Sequence, residues 1–130
     1  MKIYNGLLGR DIHARDDAGA ARKKAFHADG KKFLKDLASE LGLTGKCEIK
    51  SNQAGREISG DVFLQADNLF ICMNESGNGV KVLYRRHRSR QDTTGMGNNW
   101  VTIHELSHSE MRREDFLNSC KEWVDNPIPA

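Results

Sequence analysis

Apolar residues recur along this chain at two different periods, and the changes of period divide it into three parts. From Ala18 onward Phe26, Phe33, Leu34, Leu37, Ala38 and Leu41 return every three or four residues, which puts them on one stripe of a helix with lysines outside it. Asp29-Gly30 interrupts the stripe. Either one helix absorbs the glycine at about 1 kcal/mol, or Asp29 caps a second helix beginning at Gly30. Gly42 predicts the stop, since a residue without Cβ enters the left-handed conformation at little cost. Ahead of the helix, Lys2-Ile3-Tyr4 is compatible with the start of a strand, while Gly6, Gly9 and Asp16-Asp17 read as loop.

From Cys47 to Leu106 the period shortens to two and β-formers take over. Cys47-Glu48-Ile49-Lys50 is a weak strand; Val62-Phe63-Leu64-Gln65 and Leu69-Phe70-Ile71-Cys72-Met73 are stronger ones. Ala66-Asp67-Asn68 between them suits a bulged hairpin. Ser76-Gly77-Asn78-Gly79 makes a second turn, because Asn and Gly accept positive φ. Val80 to Tyr84 is the next strand, and Trp100 to Ile103 follows a polar, glycine-bearing loop. Short connections make neighbours antiparallel. The end returns to helix with Met111, Phe116, Leu117, Cys120, Trp123 and Val124 on one stripe. Ser107 and Glu110 match a capping box at its start, and Pro127 and Pro129 prevent its continuation.

The pattern therefore predicts an α+β fold. An antiparallel meander sheet of about four to five strands is flanked by an N-terminal helical segment and a C-terminal helix, both on one sheet face. Residues 1–130 are expected to form a single globular domain. Its core should hold Phe33, Leu37, Leu41, Val62, Leu64, Leu69, Ile71, Val82, Phe116, Leu117 and Cys120.

Composition narrows the class. A 38% apolar and 29% charged chain is too balanced for disorder. No apolar run reaches the ~18 to 20 residues of a membrane helix, and Met1 to Arg10 lacks the zones of a signal peptide. Cys47, Cys72 and Cys120 are odd in number and widely spaced, without a Cys-x-x-Cys pair, as expected for buried thiols in a reducing cytoplasm. The net charge of +2 selects no partner. Basic residues nevertheless gather in Arg22-Lys23-Lys24, in Lys31, Lys32 and Lys35, and in Arg85, Arg86, Arg88 and Arg90, whereas the last helix leans acidic.

The sharpest chemical string is His104-Glu105-Leu106-Ser107-His108. It resembles the His-Glu-x-x-His pattern of the zinc metallopeptidases called zincins. That resemblance implies His104 and His108 as metal ligands and Glu105 as the base acting on a metal-bound water. Three features oppose it. Trp100-Val101-Thr102-Ile103 runs a strand signal straight into His104, and on a strand His104 and Glu105 point to opposite faces. A helix capped at Ser107 leaves His104 outside it. The extended zincin pattern also calls for glycine and histidine where this chain has Met111 and Glu114.

His13, His27 and His87 lie among charged residues and read as surface groups. Ser51, Ser59 and Ser107 lack a Gly-x-Ser-x-Gly context, and the loop Asp92 to Asn99 lacks the third glycine of a dinucleotide fingerprint. The second candidate is the basic run after Tyr84. If it stays extended, Arg86, Arg88 and Arg90 align about 6.6 Å apart, near twice the ~3.4 Å phosphate rise of a nucleic-acid strand; the plainer reading is an edge strand kept soluble by its charge. The expectation is a non-enzymatic binding protein that meets a protein or nucleic-acid partner through Tyr84, Arg85, Arg86, Arg88, Arg90 and Met96, with no metal or other cofactor and no membrane. The alternatives are a small zinc hydrolase on the His-Glu-x-x-His string and an oligomeric module using an open sheet edge.

Overall fold

A computed structural model describes residues 1–9, 16–54, 59–75, 79–92 and 97–128. Five strands, β1 (Cys47–Asn52), β2 (Asp61–Ala66), β3 (Leu69–Glu75), β4 (Val80–Arg86) and β5 (Asn99–Thr102), form one sheet in chain order, every pair antiparallel. The α+β meander read from the period-two segments is the observed architecture. Alternation along β2, β3 and β4 sends Val62, Leu64, Leu69, Ile71, Met73, Val80, Val82 and Tyr84 to one face, where all are buried.

Among the described residues the helices cover that face alone. α1 (Asp17–Glu40) lies over β1 and β2. The short α2 (Ile103–His108) and α3 (Glu110–Asp125) lie over the β3–β5 half, with the Phe116 ring edge-on to Tyr84 at 4.9 Å. The predicted core residues all join this layer except Leu117, which is only half-buried at its rim.

α1 is one unbroken helix. Asp16 caps it by accepting the Gly19 N–H at 2.6 Å. Asp29 starts no second helix; its carboxylate accepts the Gly6 N–H at 2.7 Å and holds the N-terminal turn against α1. At Gly30 helix and sheet approach closely: a Cβ there would lie 3.1 Å from Val62 Cγ2 and 3.2 Å from Met73 Cε.

The C-terminal helices begin earlier than the Ser107 cap predicts. Thr102 caps α2 through a complete capping box: its Oγ1 accepts the Glu105 N–H at 3.0 Å, and Glu105 Oε1 accepts the Thr102 N–H at 3.1 Å. Ser107 sits inside α2 and donates to the Ile103 carbonyl at 2.8 Å, while Ser109 caps α3. Two boxes compete in the sequence, and the one used precedes Ile103 and Leu106, an i,i+3 pair that helix formation buries in the core.

Candidate functional site

Among the described residues no helix lies on the opposite face of the sheet, yet that face is not polar. Register places Lys50, Phe63, Cys72, Leu83 and Trp100 side by side, one from each strand. At ~4.8 Å per strand this row crosses roughly 19 Å. Its four apolar members are flanked by Glu48, Gln65, Phe70 and Arg85 on one side and by Asn52, Asp61, Asn74, Lys81 and Thr102 on the other. Phe70 extends the apolar band, its ring 5.9 Å from that of Phe63. Trp100 is 48% exposed, with the Lys81 ammonium 5.5 Å from its ring centroid. The other apolar members are half-buried.

Burial is the main influence on the titratable groups of this face. Burial, with Asp61 second, pushes the Cys72 thiol up to about 12, which keeps it a protonated, small hydrophobic group. His87, expected at the surface, is 2% exposed and stacks on Phe70 at 5.8 Å. Burial first, and the Arg85 charge second, hold it below the ordinary histidine range and so favour the neutral ring. His27 is also buried and held low by burial; its Nε2 lies 2.7 Å from the Ser59 carbonyl. His13 lies outside the described residues.

The arginine run does not form the aligned ladder that an extended strand predicts. β4 pairs with β5 as well as β3, so it is interior and not an edge, and it ends at Arg86. Arg85 borders the open face opposite Phe70. Arg86 turns toward the helices and donates to the Asn126 carbonyl at 2.6 Å. Arg90 lies in a bend, bonded to Asp67 at 2.9 Å, Glu48 at 3.4 Å and the Lys46 carbonyl at 3.2 Å. Arg88 is exposed beside this brace, Tyr84 is in the core, and Met96 lies outside the described residues.

The His-Glu-x-x-His string is helical after all, because the Thr102 cap starts the helix one residue before His104. Both histidines are exposed one turn apart, their rings stacked with centroids 4.3 Å apart. Glu105, however, is already engaged. It closes the capping box, and its other oxygen accepts from Arg112 Nε at 3.0 Å. The Thr102 amide foremost holds its carboxyl below the usual range; burial opposes this, and the Arg112 hydrogen bond and charge add to the lowering. A carboxylate so paired is poorly placed to take a proton from water. Among the described residues no three His, Cys, Asp or Glu side chains converge on one point where a metal could sit. A cleft of about 370 Å³ beside His104 is walled by Leu7, Leu8, Val80 and Ile103.

Sequence reasoning passed over Phe63, Phe70, Leu83 and Trp100. A signal was present: Val62-Phe63-Leu64, Phe70-Ile71-Cys72-Met73 and Val82-Leu83-Tyr84 are apolar on both parities, whereas a sheet with one solvated face alternates apolar and polar. The fold and this face together define a two-layer α+β protein with one helix-covered and one open, apolar-banded sheet surface. No family model matches the sequence, and neither a curated protein nor a solved structure is significantly similar to it.

Proposed function

We propose that this chain is a non-enzymatic protein-binding module whose interface is the open face of the sheet. The observation that carries the reading is the continuous row Phe63, Cys72, Leu83 and Trp100, widened by Phe70 and framed by polar and charged rows. That is the anatomy of an interface, an aromatic-rich apolar centre inside a polar rim. A protein partner is favoured over nucleic acid because Arg86 and Arg90 are spent on bracing the fold, which breaks up the basic track a phosphate backbone would follow. The reading includes a reducing compartment such as the cytoplasm, where Cys72 at the centre of the row stays a thiol.

The test compares three baits in extract of the native host: parent, Trp100→Glu and Lys35→Glu, the last on the helix side. Captured proteins are identified by mass spectrometry, and nucleic acid by sequencing. A partner held by parent and Lys35→Glu but released by Trp100→Glu is expected. Equal capture by all three refutes the open face as the interface. Capture that vanishes on nuclease treatment, with binding of short DNA or RNA weakening steeply with salt, replaces the protein partner by nucleic acid.

A further inference from the structure

We propose that His104 and His108 form a two-histidine chelate for a divalent late transition ion of the copper, nickel and zinc class. The site is independent of the sheet-face reading. Three observations converge on it. The histidines stand at i and i+4 of α2, whose Thr102 capping box fixes the first turn, so both side chains project from one side of a helix. Both are exposed and their rings stack with centroids 4.3 Å apart and planes within 27°. His108 Nδ1 lies 3.0 Å from the His104 carbonyl oxygen.

The last contact sets the chemistry. A carbonyl oxygen only accepts, so Nδ1 carries a proton, and Nε2 is the nitrogen at which the neutral ring offers its lone pair. An imidazole whose far N–H is held by a backbone carbonyl is the usual arrangement of a metal-ligating histidine, because it fixes both tautomer and ring direction. Two nitrogens bound to one ion at ~2.1 Å stand roughly 3 Å apart with both lone pairs aimed at it, so the rings must open from their near-parallel stack until their planes converge on the ion, a movement that the exposure of both side chains permits. Neutral imidazole suits copper, nickel and zinc over magnesium or calcium, and affinity among them should follow the order in which copper leads. With two protein donors the remaining coordination positions belong to water. They open to solvent, next to the cleft that His104 lines. Glu105 contributes no ligand, since both its oxygens are held by Thr102 and Arg112.

The experiment titrates nickel chloride, and separately copper and zinc salts, into the untagged full chain in a non-coordinating buffer near neutral pH. Heat of binding and melting temperature are both read. One ion per chain and a melting temperature that climbs with metal concentration and returns on adding chelator are expected. His104→Ala and His108→Ala should each weaken binding by at least about tenfold, since even groups that merely orient a ligand are worth roughly 10- to 100-fold. Both positions are exposed, so the variants fold, and helicity by circular dichroism verifies it. Glu105→Gln retains a capping-box residue and should bind metal as the parent does. Absence of saturable binding, a single-histidine variant that binds like the parent, or Glu105→Gln losing as much as His108→Ala would each overturn the chelate.

Discussion

Replacing Gly30 by alanine sets two well-measured effects against each other at one atom. Alanine is favoured over glycine in a helix interior by about 1 kcal/mol, partly because it restricts the unfolded chain. Against that, the added Cβ would stand 3.1 Å from Val62 Cγ2, 3.3 Å from Val62 Cβ and 3.2 Å from Met73 Cε. The methionine methyl ends a flexible side chain and can yield. Val62 cannot do so easily, because it is β-branched, fully buried and held in β2 between β1 and β3. Overpacking of this kind costs about 1 to 3 kcal/mol. The two effects leave Gly30→Ala between neutral and about 2 kcal/mol destabilised, rather than stabilised. Urea denaturation followed at the helical circular-dichroism band measures the difference. A double-mutant cycle isolates the cause. In a Val62→Ala background the clash is relieved, so the pair should be more stable than the sum of the single changes by about 0.5 kcal/mol or more. If Gly30→Ala alone gains the full kilocalorie, or the cycle shows no coupling, the close approach of α1 to β2 is not what holds a glycine at this position.

The caps and the buried histidines give two further expectations. Thr102→Ala should cost about 1 to 2 kcal/mol in the same denaturation assay, whereas Ser107→Ala should stay within about 0.5 kcal/mol; the reverse order would move the helix start to Ser107. His27 and His87 are both held below the ordinary histidine value in the folded protein, so on acidification the unfolded chain takes up protons first. Stability should therefore be full above about pH 6.5 and fall as pH drops below it, down to the lowered folded-state values. Melting temperatures across that window should decline less in His27→Gln and His87→Gln than in the parent; equal declines would place the proton uptake elsewhere.

Much of this architecture is legible in the sequence because period alone carries it. The stripe from Phe26 to Leu41 and the alternation in β2, β3 and β4 each needed only neighbouring residues to be read. What was not legible depends on atoms brought from across the fold. His27 is buried because Ser59 and β2 close over it, and His87 because Phe70 lies beneath its ring. No local pattern announces either. The choice between Thr102 and Ser107 as cap turned on which box delivers Ile103 and Leu106 to the core, a tertiary preference overriding two equivalent local signals. The arginine run was misplaced for a related reason: the long connection to β5 hides the fact that β4 is flanked on both sides. Interior position and a bend at Arg88–Arg90 together remove the regular spacing that an extended edge would have had.

The fate of those arginines bears on how the open face would work. Arg90 ties the end of the β4 connection to Asp67, Glu48 and Lys46, and Arg86 ties the end of β4 to Asn126 after α3. These bonds spend positive charge on fixing the rim of the sheet. Charge remaining on the face itself is mixed: Lys50 pairs with Glu48 at 3.2 Å, Lys81 lies over Trp100, and Asp61 accepts from Asn74. A mixed rim of this kind orients a partner and sets its rate of approach more than it adds affinity. Affinity would then rest on removing Phe63, Leu83 and Trp100 from water, at roughly 25 cal/mol for each Å² of apolar surface covered. Salt should accordingly slow association through the open face while leaving the lifetime of the complex nearly unchanged, the opposite of the steep loss of affinity that counterion release imposes on a phosphate-binding surface.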